Sequence, residues 1–147
     1  MTPQTQTEEF NIDALMQELH TYVNSELQKC GKTHIEAATA PYREGETCSL
    51  QADRERIRQI LTCLLDNAVK YIGCGFIAFG YFVPDTQGVK FIVSDTREDE
   101  YYNKNLTVVS NLVEEMGSKL NVSRDVAKPA DYSFHVSGLT KMTPNRL

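Results

Sequence analysis

The stretch from 53 to 72, DRERIRQILTCLLDNAVKYI, limits the fold more than any other part of the chain. Its apolar residues Ile57, Ile60, Leu61, Leu64, Leu65, Ala68, Val69 and Ile72 fall at offsets 0, 3, 4, 7, 8, 11, 12 and 15. That spacing is one face of an α-helix. Asp53 stands at the N-cap position, where its carboxylate accepts from free backbone N–H groups. The glycines of Gly73-Cys74-Gly75 end the helix. At about 100° per residue, Cys63, Asn67, Lys70 and Tyr71 form a second stripe beside the buried one. A plain solvated edge would carry Lys, Glu, Gln and Arg. Here an amide, an ammonium and a phenol share the edge of a core helix.

A chain of 147 residues suits one domain with a substantial core. Its net charge of −5 argues against general nucleic-acid binding, which needs a basic surface. No apolar run approaches the roughly 20 residues of a membrane span. The opening MTPQTQTEEF is polar and acidic, unlike a signal peptide. Cys30, Cys48, Cys63 and Cys74 lie far apart with no C-x-x-C, so neither a disulfide scaffold nor a zinc site is expected. Reduced thiols are the simple reading. His20, His34 and His135 are isolated, and His135 reads as a packed or surface residue of a strand.

Taken in order, residues 1–9 read as a disordered leader or linker remnant. A helix opens at Phe10-Asn11-Ile12, keeps helical spacing through Leu15, Met16, Leu19, Tyr22, Val23, Leu27 and Cys30, and stops at Gly31. Strands are expected at 34–40 and 47–50, with a turn at 41–46. The aromatic and β-branched run 76–83 predicts a strand buried on both sides over part of its length. A loop at 84–88 joins it to a partner strand at 89–94. Leu106, Val109, Leu112, Val113 and Met116 predict a third helix, with Gly117 as its stop. Segments 119–123 and 132–139 form a last hairpin, and 141–147 reads as a loose tail. Helices interleaved with hairpins imply an α+β two-layer sandwich. Its sheet is mixed, mainly antiparallel, of about five strands, and three helices cover one face.

The helix at 53–72 resembles the asparagine box of histidine-kinase-like ATPase domains, the GHKL or Bergerat group, which often reads D-x-x-R-h-x-Q-h-h-x-N-L-h-x-N-A-h-K-[YF]. In that family the second Asn holds Mg²⁺, the Lys meets phosphate and the aromatic lies against adenosine. These roles fall on Asn67, Lys70 and Tyr71. Cys63 replaces the first Asn. Asp95 and Thr96 resemble the start of D-T-G-x-G, whose carboxylate accepts from the adenine amino group. A carboxylate suits that task because it only accepts. Ser133 matches the Thr of an S-T-F close near that Asp. LTVVSNLVEEMG at 106–117 resembles L-S-I-V-K-x-L-V-E-x-M-G. The resemblance makes 10–140 a histidine-kinase-like ATPase domain of Bergerat fold.

The glycines of the pattern are missing. Arg97 and Asp99 stand where D-T-G-x-G has glycine, and Tyr101, Tyr102, Asn103, Lys104 and Asn105 replace a G-x-G-L-G that presents backbone N–H groups to phosphate. Residues 96–105 span a gap that holds a lid of several dozen residues in the family. The resemblance therefore implies an ATP-binding and catalytic domain of a two-component sensor histidine kinase, with ATP and Mg²⁺ as cofactors and weakened or lost nucleotide binding. The alternative is a non-catalytic module of the same fold, regulatory or protein-binding. A kinase that phosphorylates protein serine, of the anti-sigma type, is a remote third option. Implied partners are a histidine-bearing dimerisation domain and a response regulator, with a homodimer through a segment outside this chain left open. Membrane insertion is not expected, and the implied location is cytoplasmic.

Overall fold

The expected central helix is α2, Arg54–Tyr71, and its cap is Asp53: Oδ1 accepts from the Arg56 N–H at 3.1 Å. The helix ends one residue before Ile72, which turns to extended backbone. In this computed structural model residues 7–40, 46–83, 88–96, 106–123 and 130–144 are described. Two further helices accompany it, α1, Ile12–Lys29, and α3, Leu106–Glu115. α1 starts at an Asn11 cap, whose Oδ1 accepts from the Ala14 N–H at 3.0 Å. It buries Ile12, Leu15, Met16, Leu19, Val23 and Leu27. Tyr22 is only half-buried and Cys30 is exposed, so the inward face is narrower than expected.

Among the described residues eight strands alternate with these helices: β1, Glu8–Asn11; β2, Glu36–Ala40; β3, Glu46–Ala52; β4, Phe76–Phe82; β5, Gly88–Asp95; β6, Asn121–Ser123; β7, Ala130–Ser137; and β8, Leu139–Pro144. Five form one sheet in the order β2-β4-β5-β7-β6, with β2 parallel to β4 and the other pairs antiparallel. This is the expected α+β two-layer sandwich. A second, three-stranded antiparallel sheet, β1-β3-β8, was not foreseen.

That second sheet corrects both ends of the sequence reading. Glu8 and Glu9, assigned to a leader, pair with Ala52 and Gln51. Residues 141–144, assigned to a loose tail, pair with β3 from Ser49 to Glu46. Phe10 lies in a strand, and Asn11 both ends that strand and caps the helix. Both outer strands, EEFN and LTKMTP, are polar and lie at sheet edges, where backbone pairing needs no apolar alternation. Residues 1–6, 41–45, 84–87, 97–105 and 145–147, on which other expectations fall, lie outside the described residues.

Registry fixes which sheet face is buried. Ile77, Phe79 and Tyr81 of β4, Val89, Phe91 and Val93 of β5, and Tyr132, Phe134 and Val136 of β7 share one face, and all are buried. α2 packs against β4 and β5 on this side. The Phe91 and Phe134 rings stack with centroids 5.4 Å apart, a pairing that adds about 0.5–1.5 kcal/mol to the burial itself. The other face carries Lys90, Ile92 and Ser94, with Phe76 and Phe82 exposed at the two ends of β4. Between them, 79–81 of β4 are buried without alternation, as the sequence predicts.

A polar cluster ties the small sheet to the large one. The Tyr81 hydroxyl donates to both carboxylate oxygens of Asp13 at 2.9 Å, and the Cys48 N–H donates to Oδ2 at 3.1 Å. Burial, then hydrogen bonds with Cys48 and Asp13, hold the Tyr81 phenol far above its ordinary range. Gly138 carries the chain from one sheet to the other at φ +115, and a Cβ there would lie 2.2 Å from the Gln51 carbonyl. Tyr81→Phe leaves Asp13 with one donor fewer in a largely buried site, and is expected to cost about 1–3 kcal/mol. The urea midpoint, at unchanged slope, measures that loss.

Candidate functional site

The candidate site grows from the C-terminal half of α2 and the end of β5. Asn67 lies beside the apolar stripe and is buried, 3% exposed, between the outward Asp66 and the inward Ala68. Lys70 is exposed and Tyr71 half-buried, with the Lys70 Nζ 5.3 Å from the centre of the Tyr71 ring. Cys63 is half-buried one turn earlier. Burial, then the charge of Asp66, pushes its thiol above the ordinary value. It therefore stays protonated at neutral pH and offers only a weak donor.

Asp95 ends β5 opposite Ile77 and Ala130, on the face that the helices cover, and is fully buried. Its position is tied to the exit of α2 through Thr96. The Thr96 hydroxyl donates to the Cys74 carbonyl at 3.0 Å and accepts from the Phe76 N–H at 2.9 Å. The Thr96 N–H donates to the Phe76 carbonyl at 3.2 Å. Gly75 makes this approach possible: its φ is +102, and a Cβ would sit 1.9 Å from the Thr96 hydroxyl oxygen. The exit of α2 and the end of β5 are thus joined by one short, hydrogen-bonded turn.

Ser133 does not belong with them. It pairs with Ile92, whereas Asp95 pairs with Ala130, two residues beyond Val93–Tyr132. Side chains alternate between the faces of a strand. Ser133 therefore lies on the opposite face of the sheet from Asp95, and the buried Tyr132 takes the position on the Asp95 side. The assignment of Ser133 to the site is corrected by that one-residue step.

Two residues unnoticed in the sequence hold the site from the other side. The Lys32 ammonium donates to the carbonyls of Val69 at 2.7 Å and Lys70 at 3.1 Å. The His34 ring donates from Nε2 to the Gly73 carbonyl at 2.9 Å. Their partners lie 37 to 39 residues away, so no local spacing could announce them. At the other end of α2, Arg56 is ion-paired with Glu115 of α3, and in mid-helix Asp66 accepts from the Tyr22 hydroxyl of α1 at 2.6 Å.

Each of these groups has the chemistry to serve one part of a nucleotide–metal complex. Asp95 supplies an acceptor for an exocyclic amine, Tyr71 an aromatic face, and Lys70 a mobile cation for phosphate. Asn67 carries an amide oxygen, a suitable ligand for a Mg²⁺ that takes its remaining ligands from phosphate and water.

No family model matches the chain, and no curated protein matches it. Solved structures do. Full-length ShkA in complex with AMPPNP superposes with TM-score 0.81 at 22% identity, covering 98% of this chain and 34% of ShkA. The nucleotide-free catalytic domain of the histidine kinase ThkA gives 0.72 at 19% identity, covering 90% of this chain and 97% of that domain. ThkA in complex with the response regulator protein TrrA gives 0.70 at 20%, covering 97% of this chain and 44% of the ThkA chain. This chain thus spans about a third of ShkA. It has the fold of a histidine-kinase catalytic domain.

Gly75→Ala is expected to lower stability by about 1–3 kcal/mol, from the strained φ and the contact with Thr96. Adding Thr96→Ala should recover part of the loss. Chemical denaturation of both variants reads the two contributions separately.

Proposed function

We propose that the chain is the ATP-binding domain of a two-component sensor histidine kinase whose nucleotide binding is weakened. The observation that carries this reading is a fold shared with histidine-kinase catalytic domains, in which α2 carries Asn67, Lys70 and Tyr71 and β5 ends at Asp95. Lys70 and Tyr71 follow Asn67 in the last turn of α2.

In this reading Asp95 orients the base, Tyr71 covers the adenosine, Asn67 holds Mg²⁺ and Lys70 neutralises phosphate. Mg²⁺ supplies the charge that phosphoryl transfer needs. Transfer of this kind is mainly positioning, and the acceptor histidine would belong to a separate dimerisation domain. A response regulator is the downstream partner, in keeping with the ThkA–TrrA complex. The implied location is cytoplasmic, and among the described residues no helix is long and apolar enough to cross a membrane.

Replacements in the sequence support the weakening. Arg97 and Asp99 replace glycines beside Asp95, no glycine stands between 101 and 105, and a thiol replaces the first amide of the helix motif. These losses also favour the second reading, a non-catalytic module of the same fold that regulates or binds another protein.

Titration with ATP and Mg²⁺ distinguishes the two. Ligand at 100 times its Kd stabilises a fold by about 2.7 kcal/mol, which raises the melting temperature by several degrees. The weakened site is expected to respond at millimolar ATP, and the response should vanish in Asn67→Ala and in Asp95→Asn. No shift at millimolar ATP rejects nucleotide binding and leaves the module reading.

A further inference from the structure

The last turn of α2 has a problem that every helix end shares. Its final carbonyls have no partners within the helix, and this is the turn that carries Lys70 and Tyr71. The Ile72 N–H satisfies Ala68. The next two carbonyls, of Val69 and Lys70, both accept from one side chain, the ammonium of Lys32. A cation there also opposes the negative end of the helix dipole. Beyond the helix, His34 holds the Gly73 carbonyl and Thr96 holds that of Cys74. Four carbonyls in six residues, 69 to 74, are thus fastened by side chains from two other segments.

Lys32 is itself placed with little freedom. Its N–H donates to the Leu27 carbonyl at 2.8 Å, and its own carbonyl accepts from the Ile35 N–H at 3.0 Å. The stop of α1 and the start of β2 therefore aim the ammonium at the end of α2.

We propose that Lys32, assisted by His34, is a positioning residue of the candidate nucleotide site: it clamps the exit turn of α2, so that Lys70 and Tyr71 keep a fixed place relative to Asp95. The inference rests on the nucleotide reading above. Neither residue touches the proposed ligand positions. Their effect passes through the helix end, and it is separate from the packing of the α2 apolar face. Removing Lys32 leaves that face intact and loosens only the turn beyond it.

The test uses the full chain with Lys32→Met and Lys32→Arg, which keeps the cation and its donors. ATP·Mg²⁺ affinity is measured by equilibrium dialysis, melting temperature without ligand by calorimetry, and amide exchange at Ile72 by NMR. Lys32→Met is expected to weaken ATP about five- to tenfold, the size of a charged hydrogen bond at a helix end. Exchange at Ile72 should quicken, and Lys32→Arg should restore both. A wild-type chain that binds ATP beside a Lys32→Met variant of equal affinity overturns the clamp alone, even if its melting temperature falls. Unchanged exchange at Ile72 overturns it too. A wild-type chain without ATP affinity removes the site, and the positioning role with it.

Discussion

The burial of one face of α2 against the five-stranded sheet is the interaction on which the rest depends. Ile57, Ile60, Leu61, Leu64 and Leu65 are each at most 2% exposed. Burying a side chain of this kind contributes about 1.5–3 kcal/mol, so five together rival the roughly 5–15 kcal/mol net stability of a whole domain. The helix cannot rotate or slide without losing that. Asn67, Lys70 and Tyr71 occupy neighbouring positions on the same helix, so the core sets their heading. Arg56 and Tyr22 fasten the helix further, to α3 and α1.

The sequence made α2 legible because period, cap and stop agree on one answer. The buried face of the large sheet was legible for a similar reason: β-branched and aromatic residues cluster at 76–83 and 89–93, where one period-2 set must point inward. The three-stranded sheet was not. Its outer strands hold their places through backbone pairing, and EEFN and LTKMTP carry no alternation to betray it. Ser133 shows a different limit. Aligning letters to a motif leaves an error of one residue, and in a strand one residue is the difference between opposite faces. The clamp by Lys32 lay beyond reach for a third reason, since a lysine at a helix end is silent about which distant carbonyls it will meet.

The site retains some contacts while others have changed character. Lys70 rests over the Tyr71 ring, an attraction of about 0.5–1 kcal/mol at an exposed position. In the proposed site an arriving phosphate would have to draw the ammonium away from that rest. Cys63 offers a protonated thiol where an amide would give both a strong donor and a strong acceptor. Asp95 keeps its place because Thr96 and Gly75 lock the strand end to the exit turn, whatever the residues after it do. The Asp95 end is thus held by local hydrogen bonds, while Lys70 is exposed.

The switch of sheets at Gly138 has a consequence for how the molecule comes together. β3 is the middle strand of the small sheet, and its two neighbours are separated by more than a hundred residues of chain. During synthesis β1 can zip onto β3 early, whereas the opposite edge waits until β8, far along the chain, has emerged from the ribosome. Such distant pairing is slow to nucleate, and a waiting edge is a template for foreign strands. A nascent or clipped chain lacking β8 would present that sticky border, so β8 acts as a seal against self-association as much as a strand of the fold.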